Sequence, residues 1–62
     1  MSNLTLVRLE KGLRQLDLAR KVGVSENIIS RLETGRKDPD KKLLEKLSKV
    51  LGKGFKWKVV HE

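Results

Sequence analysis

Glycine and proline, at Gly12, Gly23, Gly35, Pro39, Gly52 and Gly54, cut this chain into pieces too short for anything but brief elements. Within those pieces most apolar residues recur at helical spacing rather than in alternation, and the punctuation therefore predicts four short helices. The first runs from about Asn3 to Lys11, with Leu4 and Val7 on one face, Leu6 and Leu9 on another, and Gly12 as a left-handed stop. The second covers about Gln15 to Val22, where Leu18, Ala19 and Val22 form a packed stripe, and Gly23 ends it. Ser25 is the best capping residue in the chain: its hydroxyl can accept a first-turn backbone N–H while Glu26 complements the positive end of the dipole. A third helix therefore starts there, turns Ile29 and Leu32 inward and stops at Gly35. Asp40 caps the fourth, which carries Leu44, Leu47 and Leu51 on one face and closes at Gly52.

The tail differs in kind. Phe55, Trp57 and Val59 alternate with Lys56, Lys58 and Val60, a period of two with aromatic and β-branched residues that predicts a single strand. Its edge needs a second strand, and no other segment offers one. The expected fold is mainly α: a four-helix domain over residues 1–52, then a C-terminal β-strand within 53–62 as the dimerisation element.

Composition narrows the function. Sixty-two residues make one domain, and a chain so short hides only about 60% of its unfolded surface, so a disulfide, a metal or a partner subunit usually supports it. There is no cysteine, and His61 is the one histidine, so neither a disulfide nor a zinc cluster can be assembled. A partner chain remains. Fifteen Lys and Arg against eight Asp and Glu leave +7, a field that attracts polyanions. No apolar run approaches the roughly 20 residues of a membrane span, and no leader pattern opens the chain; the expectation is a cytoplasmic protein without a membrane partner. Nor can a nucleophile with an adjacent base be drawn from Ser2, Ser25, Ser30 or Ser48, and there is no glycine loop for phosphate; neither an enzyme nor a cofactor is expected. Asp38 and Asp40 beside Pro39 read as turn and cap residues rather than metal ligands.

The span from Gln15 to Gly35 is a helix, a tight glycine turn and a capped helix, with small Ala19 permitting close approach. Positions Glu26, Asn27, Ser30 and Arg31 cover the face opposite Ile29 and Leu32, so they point outward. Asn27 can pair with adenine N6 and N7, Arg31 with guanine O6 and N7 or a phosphate, and Glu26 can accept from cytosine N4, each pair discriminating bases by about 1 to 3 kcal/mol. Ile28, partly exposed on the same wheel, can press on a thymine methyl.

The run Gly12-Leu13-Arg14-Gln15, Leu18-Ala19, Gly23-Val24-Ser25, Ile29-Ser30-Arg31-Leu32-Glu33-Thr34-Gly35 and Pro39 resembles the phage repressor and Cro family of helix-turn-helix regulators, the xenobiotic-response-element family, over roughly Leu4 to Leu51. The resemblance implies a lambda-repressor-like bundle that binds operator DNA as a dimer. It implies that Gln15 opens the second helix at a phosphate, that Ser25, Glu26, Asn27, Ser30 and Arg31 form the reading surface, and that Thr34, Arg36 and Lys37 grip the backbone. It also implies a partly buried ion pair between Arg8 and Glu33. Arg14 stands where the family usually has a capping Ser or Thr, so that cap is expected to be lost at about 1 kcal/mol and exchanged for a phosphate contact. Leu9 and Leu16 are apolar where polar residues are more usual, and the basic strand replaces the family's fifth helix.

Charge is distributed to match. Residues 1–24 hold five basic and two acidic groups, 25–40 three and four, and 41–62 seven and two, so the flanks are basic and the reading helix nearly neutral. That suits flanks that hold phosphates around a helix that reads base edges. Lys41, Lys42, Lys46 and Lys49 can equally solvate the outer face of the fourth helix. For the tail, Phe55, Trp57 and Val59 predict a two-stranded ribbon between two copies, setting two reading helices about 34 Å apart. The alternatives are a tail folded back on its own domain, and an aromatic platform for unpaired bases. The expected function is a sequence-specific, double-stranded-DNA-binding repressor acting as a homodimer on a palindromic operator. The alternatives are the antitoxin of a toxin pair, resembling antitoxins with a terminal dimerising strand, and a protein-interaction module without DNA.

Overall fold

A computed structural model of the protein describes residues 2–57. Four α-helices follow in order, α1 over Leu4–Glu10, α2 over Gln15–Val22, α3 over Glu26–Glu33 and α4 over Lys41–Leu51. Three of the boundaries have a plain local cause. Gly23 ends α2 at φ 75°, a left-handed conformation that a residue with Cβ adopts at a cost, and it lets the chain reverse toward α3. The Ser25 hydroxyl accepts from the Ile28 N–H at 3.3 Å and starts α3. The Asp40 carboxylate accepts from the Leu43 N–H at 2.7 Å and starts α4.

α2 packs on both α3 and α4, and α1 packs on α3. The core takes Leu4 and Val7 from α1, Leu18, Ala19 and Val22 from α2, Ile29 and Leu32 from α3, and Leu43, Leu47 and Leu51 from α4. On α4 the inward row is thus Leu43, Leu47 and Leu51 at i, i+4, i+8, while Leu44 lies half-buried beside it. Leu6 and Leu9 point away from the core and remain about 60% exposed, 59% and 60% respectively. Among the described residues no helix is long and apolar enough to cross a membrane.

The expected C-terminal strand does not form among the described residues. After Gly52 the chain turns and runs irregularly, and its one β-type contact is an isolated antiparallel bridge between Trp57 and Ser2. Two physical reasons account for this. Phe55 is a buried part of the domain's own core, 7% exposed, so the segment is drawn onto the helices instead of extending past them. Asn3 then satisfies the backbone that a ladder would have paired: its Nδ2 donates to the Gly54 carbonyl at 2.7 Å and its Oδ1 accepts from the Lys56 N–H at 2.8 Å. The N-terminus is therefore the partner segment that alternation alone did not reveal. Residues 53–57 belong to the same packed body as the helices, with Trp57 half-buried against the core. Lys58, Val59, Val60 and His61, and with them the outer half of the expected strand, lie outside the described residues.

Candidate nucleic-acid interface

The geometry of α2 and α3 is fixed at one buried point, the Glu33 carboxylate at the last residue of α3. Arg8 Nε donates to Glu33 Oε2 at 2.7 Å and its second nitrogen to Oε1 at 3.1 Å, a two-pronged pair whose side chains are only 10% and 6% exposed. Thr5 Oγ1 donates to the same Oε1 at 2.9 Å, and Gln15 Nε2 donates to it at 3.2 Å. Arg8 also donates to the Leu13 carbonyl at 2.8 Å. One carboxylate thus ties α1, the first turn of α2 and the end of α3 together. Burial pushes its pKa upward, but the hydrogen bonds from Arg8, Thr5 and Gln15 outweigh that, and the group ends below its ordinary value.

Thr5 was not picked out by sequence spacing, although it sits three residues before Arg8, where a helix brings two side chains onto one face. Gln15, expected at a phosphate, is half-buried and spends one amide N–H on Glu33, which holds its side chain at the start of α2.

Arg14 is the residue preceding α2, and its guanidinium has no acceptor with which to cap. The cap is half restored from the other side: the Asp17 carboxylate accepts from the Arg14 backbone N–H at 2.9 Å. The same carboxylate binds the Arg14 guanidinium at 3.0 and 3.1 Å. Hydrogen bonding from the Arg14 side chain, then from its backbone, holds the Asp17 carboxyl at about 2. Arg14 remains exposed, so a contact with an anion is available to it while it shares its charge with Asp17.

On α3 the Ser25 cap, Glu26, Asn27 and Arg31 are exposed and Ser30 is half-buried, with Ile29 and Leu32 on the opposite, buried side. Ile28 is half-buried and packs against the core, bordering a groove with Val24, Leu43, Lys46 and Lys37. Thr34 closes α3, its hydroxyl donating to the Ser30 carbonyl at 3.0 Å. Arg36 and Lys37 follow, both exposed. The outer face therefore presents a polar row on a helix capped by Ser25 and tied at Glu33, flanked by cations at Arg14, Arg36 and Lys37. Such a face can exchange hydrogen bonds with base edges while its flanks neutralise phosphates. Phe55, expected between copies, is interior to its own domain, and Trp57 is half-buried against the core; Val59 is outside the described residues. Among the described residues no group of three or more His, Cys, Asp or Glu is placed to hold a metal ion.

A family model described as helix-turn-helix matches residues 4–58. The chain belongs to the helix-turn-helix family. This helix-turn-helix chain is also similar to multiprotein-bridging factor 1 of Debaryomyces hansenii, 42% identical over 55 residues that make up 89% of the chain and 37% of that protein. The factor of the same name from Candida albicans is 42% identical over 89% of the chain and 36% of its own length. Multiprotein-bridging factor 1c of Arabidopsis thaliana is 35% identical over 84% of the chain and 35% of its own length. The chain thus spans little more than a third of the curated relatives it matches. No solved structure matches it at the same stringency.

Proposed function

We propose that this helix-turn-helix chain is a regulator that binds double-stranded DNA sequence-specifically, with α3 in the major groove. The observation that carries this reading is the outward row Glu26, Asn27, Ser30 and Arg31 on a helix locked at both ends, by Ser25 at its start and the Glu33 cluster at its end. A locked helix matters because base-edge hydrogen bonds are directional, and a row that rocks loses discrimination before it loses affinity. Asn27 reads adenine, Arg31 reads guanine or holds a phosphate, and Glu26 accepts from cytosine N4. Arg14, Arg36 and Lys37 neutralise phosphates on either side.

Selection of bound duplexes from a random pool, followed by salt titration of a winner, tests the reading. Three neutralised phosphates per copy give a log–log slope of about −3. A pool that returns no preferred sequence, or an affinity indifferent to salt, refutes it. The finer form, a homodimeric repressor on a two-fold operator, rests on the family resemblance; it requires a palindromic winner and two copies per duplex.

The relatives' names favour a second reading, in which the DNA-bound domain also holds another protein. Identity over 89% of the chain supports it for this domain in particular. Its test is a pull-down with the duplex already bound, and a partner retained only without DNA refutes bridging.

A further inference from the structure

On a part of the surface that shares no residue with α3 or with the loop after it, a groove of ≈ 660 Å³ is lined by Lys11, Leu13, Lys21 and Val50. We propose that this groove docks an acidic amphipathic peptide segment of a partner protein, with apolar side chains laid on Leu13 and Val50 and carboxylates meeting Lys11 and Lys21. The inference concerns a site separate from the proposed DNA face and stands or falls independently of it.

Three helix ends decide what the groove can accept. Lys11 is the residue closing α1, Lys21 lies in the last turn of α2 and Val50 in the last turn of α4. Helix C-termini carry partial negative charge, which Lys11 and Lys21 in part offset at the ends of α1 and α2. An occupant has to bring apolar atoms to the floor and hold its negative charge out at the rim, where the flexible lysine ammonium groups reach it. That is the surface of an amphipathic segment with aspartate or glutamate beside aliphatic residues. The Asp17 carboxylate is taken up by Arg14 through both oxygens, and Glu10 adjoins Lys11 in the chain, one carboxylate against two lysines. A second copy of this chain, at +7, has the wrong charge for the role.

The test is a ¹⁵N titration of the full chain with a labelled peptide carrying leucines at helical spacing on one face and aspartate and glutamate on the other. Amide shifts centred on Lys11, Leu13, Lys21 and Val50 are expected. The Lys11→Glu, Lys21→Glu double variant, checked to melt as the parent does, should weaken the peptide about tenfold or more while leaving the order of preference among duplex sequences unchanged. Peptide and duplex should bind together. Shifts centred on α3 and residues 34–37, with the peptide displaced by duplex, would mean that the peptide merely imitates nucleic acid, and would overturn the proposal. So would equal binding of a peptide with lysine in place of every acid, or shifts confined to Leu6 and Leu9. A chain that failed to bind any duplex yet took the peptide at the groove would uphold this site and defeat the DNA reading alone.

Discussion

Replacing Glu33 by glutamine keeps the size of the side chain and removes its charge, and the structure sets the expected damage. Glu33 accepts four hydrogen bonds from three residues, and Arg8 opposite it is nearly sealed from water. A glutamine oxygen can still accept from Thr5 or Arg8, but its NH₂ then faces a guanidinium that has only donors, so Arg8 is left buried and uncompensated. Breaking such a pair from one side costs about 3–5 kcal/mol, and the retained acceptor puts Glu33→Gln near the lower figure. A domain of this size has only about 3–9 kcal/mol in total, so the variant should melt about 12–24 °C below the parent. Replacing both members together, Arg8→Met with Glu33→Leu, should recover most of that loss, because no charge is then left stranded.

Acid adds an independent arm to the same experiment. The folded Glu33 carboxyl titrates below its ordinary value of 4.5, so in that range the unfolded chain binds more protons than the folded one. Its contribution is therefore complete above about pH 4.5 and is lost as the pH falls through the lowered folded value. Urea melts of parent and Glu33→Gln across this range should converge as the pH drops. Parallel curves, or a single variant as stable as the parent at neutral pH, would refute the assignment of Glu33 as the charged hub of the domain.

Asn27→Ala and Arg31→Ala should flatten preference among duplex sequences by about 1–3 kcal/mol at one base pair each, whereas Lys37→Ala should weaken all sequences alike and reduce the salt slope by about 1. Ser25→Ala should lower stability by about 1 kcal/mol through loss of the α3 cap, read in a urea melt. Ending the chain at Gly52 removes Phe55 from the core and leaves a hole worth about 3–5 kcal/mol, so circular dichroism should show a largely unfolded chain; a well-folded product would place Phe55 outside the core.

The helices were legible because local chemistry decides them: Gly23, Ser25 and Asp40 act on their own neighbours, and their effects can be read within a few residues. The inward rows of α2 and α3 followed from period alone. On α4 both Leu43 and Leu44 fit a helical row, and the packing of the whole domain, not the local pattern, makes Leu43 the buried one. The tail departs from its alternating pattern for a related reason. Phe55, Trp57 and Val59 alternate, but two-residue alternation over so short a run says that side chains point to opposite sides, not that a ladder exists. What replaces the ladder is Asn3, more than fifty residues away along the chain, and no local pattern announces a side-chain amide that closes two backbone groups at that distance.

The candidate site divides along the same line. The outward row on α3 follows from geometry once Ile29 and Leu32 are assigned inward, but its rigidity does not, because that rigidity comes from Thr5 and Gln15 joining Arg8 at Glu33. This joint has a consequence for where specificity can be lost. Thr5 lies outside α3 and at no position proposed to meet DNA, yet a substitution there removes one of the hydrogen bonds that hold the end of the reading helix against α1. If a fixed helix axis is what makes Asn27 and Arg31 selective, Thr5→Val should narrow the gap between preferred and random duplexes while leaving the salt slope unchanged, since no phosphate contact is removed. An equal loss on every duplex would show that the joint stabilises the domain without aiming the helix.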